Sequence, residues 1–434
     1  GLKGFWVAEA VWVTHGCGVA RAMAEWIVDG HPKLAVHECD VNRFEAHQLG
    51  SQHIEERGSQ NYIEVYDLLH PLQPMESPRP LRTTGYYPRQ QELGGFFLEA
   101  AGYERPQWFE ANAALVDRYP SPERDAWTSM FWSPIIGAEA QAVRNGVGLF
   151  DITTLKRIEV IGKGALEFLE RMTTGNLRKK PGSITYCLLL NEKGGIMSDI
   201  TVMRRGEQDF FVGVNSNIDI HYLRLAAPDT VHVRDITAGT VALGLFGPRS
   251  RELAQSICRD DLRNEALGYF KLKETHLGHV PVMLARLSYV GELGYEIYAT
   301  ADLALKLWDT IWQAGKKFGL IAAGRGAFNS MRLEKGYRSY GADMNSEHNP
   351  HEAGLAFAVR KGGGFVGADA FLAVDPDALT RKLVCLVMDD PQDVVLGKEP
   401  VMHDGKVAGY VTSSYFGHAI GKHLAYAWVP AALS

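Results

Sequence analysis

The apolar positions of this chain change period several times along its length. "GSITYCLLLNEKGGIMSDITVMRRGEQDFFVGVN" carries three apolar runs parted by glycine turns, which predicts a three-stranded antiparallel meander. Just before it, "KRIEVIG" alternates at the strand period and "GALEFLERMT" has the three-and-four spacing of a helix. Upstream, "AEAQAVRNGVGLFD" reads as a helix running into a strand. "HLGHVPVMLARLSYVGELGYEIYAT" is strand-rich again, and "ADLALKLWDTIWQAGKKFG" and "GAFNSMRLEKG" predict helices. The last part, with "RKLVCLVMD", "EPVMHDGKVAGYVTSS" and "KHLAYAWVP", reads as strands only. Mixed antiparallel strands and helices predict an α+β fold rather than a doubly wound sheet, followed by a small barrel-like β-domain.

The first hundred residues are less regular. "FWVAEAVWV" predicts a buried strand over Phe5–Val13, "THGCG" a turn, and "VARAMAEWIVDG" a helix closed by Gly30 and stopped by His31-Pro32. From Pro32 to Pro88 no period is sustained. The proline-rich "HPLQPMESPRPLR" predicts an extended linker, and the aromatic-dense "LGGFFLEAAGYERPQWFEAN" a covering element. The expected division is 1–31, a connecting and covering segment 32–133, a main domain 134–378 and a β-domain 379–434. A start inside an apolar strand and an end at Ser434 in an apparent mid-sheet lead to the expectation of a piece of a longer protein.

Composition narrows the function. A net charge of −6 without any lysine or arginine run argues against a nucleic-acid partner. No apolar stretch is long enough to cross a bilayer, so no membrane role is expected. The cysteines at 17, 39, 187, 258 and 385 are scattered and odd in number, giving neither a disulfide framework nor zinc-ligand spacing. A reducing compartment is expected. His348 and His351 are parted by Pro350 and cannot share a helical face, so no metal site is assigned. Gly162-Lys163-Gly164 lacks the third glycine of a dinucleotide fingerprint, Glu167 standing in its place, and reads as a turn.

Asp199 stands out. It follows the turn Asn191–Gly195 inside an apolar run, where a strand disfavours aspartate. A hairpin there brings Tyr186 alongside. In "SYVGELGYEIY", alternation places Glu292, Glu296 and Tyr298 on one face, near Tyr289 and Tyr295. Carboxylates accept hydrogen bonds only, which suits rings that present neighbouring N–H donors, such as pterins.

Four motifs in order carry a resemblance: "TYCLLLNEKGGIMSDITV", "LGLFGPRS", "LSYVGELGYEIY" and "MRLEKGYRSYGADMNSEHNPHEAGLAF". Together they resemble the folate-binding aminomethyltransferase fold of the glycine-cleavage T-protein. "GFWVAEAVWVTHGCGVARAMAEWIVDG" and "GYERPQWFEAN" resemble the dimethylglycine oxidase and sarcosine dehydrogenase family, in which a flavin half precedes a folate half. The resemblance implies tetrahydrofolate as one-carbon acceptor, and FAD held mainly by an upstream flavin domain outside this chain. It implies a small amine substrate, dimethylglycine or sarcosine, in a bacterial cytoplasm or a mitochondrial matrix. It places Asp199 beside the reactive folate nitrogens as the catalytic carboxylate and Glu296 on the pterin edge. Tyr186, Tyr289 and Asn215 then line the folate pocket. Where the family often has an arginine this chain has Phe328, so Arg325 is the candidate substitute for holding the folate tail. Two alternatives fit the same fold: a glycine-cleavage aminomethyltransferase served by a lipoyl-carrying partner, and a non-catalytic folate-binding module.

Overall fold

The meander forms as its pattern dictates, with β5 (Ser183–Leu190), β6 (Ile196–Arg204) and β7 (Asp209–Val214) joined by tight turns. The computed structural model describes residues 4–9, 12–390 and 392–434. Earlier in the chain lie α1 (Gly16–Asp29), α2 (Ser51–Glu64) and α3 (Tyr87–Glu92). The hairpin β1 (Gly95–Ala100) and β2 (Tyr103–Phe109) follows, then α4 (Ile135–Asn145), β3 (Gly148–Asp151), β4 (Lys156–Ile161) and α5 (Ala165–Met172). After the meander come α6 (Asn217–Ala226), β8 (His232–Asp235), β9 (Thr240–Phe246), α7 (Ser250–Ile257), β10 (Leu272–Leu277), β11 (Val280–Ala285) and β12 (Gly294–Thr300). Then follow α8 (Ala304–Gly315), β13 (Ile321–Ala322), α9 (Arg325–Glu334) and α10 (Ala368–Leu372). The chain finishes with β14 (Arg381–Val387), β15 (Pro400–His403), β16 (Lys406–Gly417) and β17 (Lys422–Pro430).

Two larger sheets make the frame. One has the order β5-β6-β7-β4-β8, the other β10-β11-β12-β9-β3-β13, and β14-β17-β16-β15 forms the C-terminal sheet. Alternation sorts each strand's side chains by face. From the first sheet, Cys187, Leu189, Ile200 and Val202 pack with Phe168 and Leu169 of α5. From the second, Leu243, Leu245, Tyr295 and Ile297 pack with Leu307, Trp308 and Ile311 of α8. Each such apolar side chain taken fully from water contributes about 1.5–3 kcal/mol before entropy is counted. The opposite faces turn toward each other and meet where Phe211 of β7 packs edge-on against Tyr298 of β12, ring centroids 4.8 Å apart.

A buried ion pair ties the C-terminal sheet to this frame. Arg332 of α9 donates to Asp343 Oδ2 at 2.8 Å, while Thr412 Oγ1 at 2.7 Å and the Ser413 N–H at 3.1 Å donate to Oδ1. Trp428 Nε1 donates to the Asp343 carbonyl at 2.9 Å.

The N-terminal region departs from expectation. The Phe5–Val13 strand does not form: Gly4–Glu9 is irregular and Val13–His15 is a 3-10 turn, with Ala10 and Val11 outside the described residues. Phe5 and Val7 are 67% and 70% exposed. Among the described residues no strand pairs with this run, and an unpaired strand leaves its backbone polar groups unmatched. The following helix does form, closed by Gly30 at φ 81° with its N–H on the Trp26 carbonyl. Within the stretch read as irregular, α2 is a helix. Local pairs such as Gln52–Glu56 at 2.8 Å and Gln60–Glu64 at 2.6 Å support it rather than an apolar stripe, and periodicity therefore misses it.

Candidate active site

Asp199 lies on β6 opposite Leu188 of β5, on the face turned to the second sheet. Its isolation in an apolar run is resolved by its partners. Tyr186 Oη donates to Oδ2 at 3.0 Å, and Asn215 Nδ2 donates to Oδ1 at 3.0 Å and to the Asp199 carbonyl at 2.8 Å. No cation pairs with the carboxylate among the described residues. Burial pushes the Asp199 carboxyl above its ordinary value, and the bonds from Asn215 and Tyr186 pull it part of the way back. The Tyr186 phenol is pushed well up, by burial first and then by the neighbouring Asp199 charge.

Behind this group stands Asp219, which the sequence reading missed. Its Oδ2 accepts from Ser198 Oγ at 2.8 Å, the Asn215 N–H at 2.8 Å and the Ser216 N–H at 3.2 Å. Asn215 Nδ2 also donates to Ser198 Oγ at 2.9 Å. Asp219 therefore fixes the loop that aims Asn215 at Asp199, and burial raises its carboxyl to about 6. A signal was available: Ser216 and Asp219 have the spacing of a capping box at the start of α6.

Glu296 comes from the second sheet, on the same β12 face as Tyr298, whose hydroxyl donates to its carboxylate. Burial raises the Glu296 carboxyl to about 7 against that hydrogen bond and the Arg157 charge. Glu292 does not share the face. It lies in the bent segment between Gly291, at φ 81°, and the start of β12, and pairs with Arg144 at 3.2 Å. Tyr289 donates to the Arg338 carbonyl and stacks on Phe328 at 5.3 Å and Tyr337 at 5.7 Å. Arg325, at the start of α9, lies over the Phe328 ring at 5.2 Å. The structure thus joins Tyr186 and Asn215 to Asp199 directly. Glu296 is placed on the facing sheet, and Tyr289 and Arg325 are linked through Phe328.

His348 stacks on Trp428 at 3.9 Å and His351 on Phe371 at 4.5 Å, each ring occupied in its own packing. Gly162, at φ 117°, closes a tight turn in which a side chain would strike the Thr230 carbonyl at 2.2 Å.

The two-sheet frame and its C-terminal β-domain have known counterparts. The model of the GCVT N-terminal domain matches residues 86–362. The chain belongs to this family. The glycine cleavage T-protein C-terminal barrel domain matches residues 381–434, and the FAD dependent oxidoreductase central domain matches residues 29–84. A 4-methylaminobutanoate oxidase (formaldehyde-forming) of Paenarthrobacter nicotinovorans is 34% identical over 93% of this chain and 49% of its own length. Human mitochondrial dimethylglycine dehydrogenase is 29% identical over 100% of this chain and 50% of its own. The chain thus spans about half the length of these curated relatives. Among solved structures, the glycine cleavage system aminomethyltransferase T from Bartonella henselae matches with a TM-score of 0.69 at 27% identity, over 81% of this chain and 91% of that one. The GCVT fold and its C-terminal barrel domain agree with the α+β fold and closing β-domain expected from the sequence. No described helix is long and apolar enough to cross a membrane.

Proposed function

We propose that this chain is the folate-dependent one-carbon transfer half of an N-methyl amino acid oxidase or dehydrogenase, with dimethylglycine as the amine. The observation that carries the proposal is Asp199: a strand carboxylate that faces the cleft, has no cation partner among the described residues and is held at both oxygens by Tyr186 and Asn215. Asp199 and Glu296 both suit tetrahydrofolate, because each is acceptor-only and a reduced pterin presents N–H groups. Glu296, gripped at one side by Tyr298, takes the pterin edge, and Tyr186 and Tyr289 wall the ring. Tetrahydrofolate supplies the nitrogen nucleophile that accepts the carbon. Oxidation of the amine belongs to FAD, which this proposal places in a flavin domain outside the chain.

Asp199 works in two ways in this scheme. Its charge stabilises the cationic substrate in a cleft of low polarity. Its raised carboxyl pKa lets it take the proton released as the new C–N bond forms and return it to the departing amine nitrogen. Asn215 and Tyr186 are positioning residues that fix the carboxylate's rotamer.

The test uses the full flavin–folate protein with dimethylglycine and tetrahydrofolate, measuring 5,10-methylenetetrahydrofolate against free formaldehyde. Asp199→Asn should move the product from the folate adduct to formaldehyde while amine oxidation continues at its normal rate. An unchanged product ratio overturns the assignment.

A further inference from the structure

The corner that follows β7 carries Asn215, and Asp219 holds it from the inside. Its outer side is held by residues far upstream, from the stretch 29–84 that matches the FAD dependent oxidoreductase central domain. Asn217 Nδ2 donates to the Phe44 carbonyl at 3.0 Å. The next residue, Glu45, anchors that carbonyl. Its carboxylate pairs with Lys156 Nζ at 2.7 Å and with Arg82 at 3.1 Å, and all three side chains are largely buried. Its backbone N–H donates to Gln48 Oε1 at 2.8 Å, closing a capping box over the turn Ala46–Leu49.

Lys156 opens β4, and its register partner on β7 is Val214, the residue immediately before Asn215. The upstream segment therefore grips the corner at both ends, through Lys156 beside Val214 and through Asn217. Farther back along the same segment, the Ala35 N–H donates to Glu347 at 2.8 Å and the His37 ring packs on Tyr340 at 5.6 Å. An ion pair held out of water is screened little and fixes geometry in a way an exposed pair does not. The segment is also tacked down elsewhere, by Arg57 on Glu99 of the β1–β2 hairpin at 3.1 Å. Attachment alone thus gives no reason for a grip on the Asn215 corner.

We propose that Glu45 and Asn217 are positioning residues of the Asp199 site, so that a segment of the flavin-type half completes the one-carbon transfer site of the folate half. The proposal rests on the function given above to Asp199. Glu45 fixes the Phe44 carbonyl against β4, and the carbonyl holds Asn217. Asn217 and Asp219 together keep the Asn215 amide on Asp199 Oδ1. Freed from Phe44, the corner retains only its inner hold, and Asn215 leaves Asp199 for part of the time.

The test uses the full flavin–folate protein with dimethylglycine and tetrahydrofolate, reading the ratio of 5,10-methylenetetrahydrofolate to free formaldehyde across a series of pH values. The variants are Asn217→Ala, Glu45→Gln and Arg57→Gln, with Asp199→Asn alongside. Asn217→Ala should lower the ratio roughly 2- to 10-fold, as the loss of one hydrogen bond would, and Glu45→Gln at least as much. In Glu45→Gln, Lys156 keeps Asp235 at 3.4 Å as an anion partner, so the buried cation is not left bare. Asn217→Ala alters a part-exposed side chain and carries the test should Glu45→Gln fail to fold. Both variants should also move the acid limb of the ratio to higher pH. The groups whose charge reaches Asp199 are Tyr186, Tyr289, Tyr340, Asp219 and Asp343, all retained in these variants. Only the bond from Asn215 weakens, which leaves burial to push the Asp199 carboxyl further up. Arg57→Gln, which loosens the same segment at the hairpin, should leave ratio and limb in place. An acid limb that stays put in folded Asn217→Ala, while Asp199→Asn diverts carbon to formaldehyde, overturns this inference and leaves the function standing. A loss that Arg57→Gln reproduces also overturns it, because attachment alone would then account for the effect. Asp199→Asn without effect overturns the function itself, and this inference with it.

Discussion

Glu296→Gln should make the protein more stable and less able to bind folate. The carboxyl's pKa rises from 4.5 to about 7 because the fold buries it. In the folded state it therefore holds its proton more tightly than in the unfolded chain. Between those two values the folded form binds more protons, so stability contributed by the neutral acid is complete below 4.5 and is lost as pH rises to about 7. At about 1.36 kcal/mol for each tenfold change in proton affinity, the buried charge costs at most about 3 kcal/mol at pH 8. At pH 5.5 the cost shrinks to about 1 kcal/mol by the same arithmetic. Glutamine stays neutral, keeps an oxygen for the Tyr298 hydroxyl and avoids the cost. Urea unfolding of wild type and Glu296→Gln at both pH values measures the gain directly. Folate binding should respond in the opposite sense, because the pterin edge requires the ionised acceptor: wild-type affinity falls as pH drops through about 7, and the variant stays weak throughout. A variant less stable than wild type at pH 8, or one that binds 5-formyltetrahydrofolate normally, would refute the reasoning.

Asp199→Asn should lower one-carbon capture by about 100-fold or more while changing 5-formyltetrahydrofolate affinity much less than Glu296→Gln does; single-turnover product analysis and calorimetry check the two parts. Asp343→Ala removes the anion from its buried pair with Arg332 and from three further donors, those of Ser339, Thr412 and Ser413, and should cost about 3–5 kcal/mol in urea unfolding. Gly324→Ala forces a methyl group into the Gln107 carbonyl, so the β1–β2 hairpin should lift and limited proteolysis should cut near residues 95–116 faster than in wild type. Uniform protection in that variant would show that the hairpin tolerates the shift.

Much of the frame was legible because its strands and helices bury one face and so carry their period openly. β4 to β7, β10 to β12 and the C-terminal strands follow this rule, as do α5, α8 and α9. The rule fails where burial does not decide structure. Phe5–Val7 is apolar yet exposed, and α2 is polar yet helical. Asp199 was legible as an anomaly: a carboxylate on a pleated strand calls for partners, and Tyr186 could be placed beside it by hairpin geometry alone. The way Asn215 brackets the same carboxylate depends on a contact across sixteen residues of chain; the capping-box spacing of Ser216 and Asp219 marks the residue that fixes the loop but not that contact. Glu292 was misplaced because alternation was carried back past the start of β12 into the bent segment 291–293.

The most direct test of the account is a calorimetric titration of this chain with 5-formyltetrahydrofolate near pH 8. The account predicts saturable binding at one site per chain, weakened at pH 6 and lost in Glu296→Gln. A folded chain that takes up no folate at either pH, or binds it equally well without the Glu296 carboxylate, would contradict the claim that this cleft is a folate site.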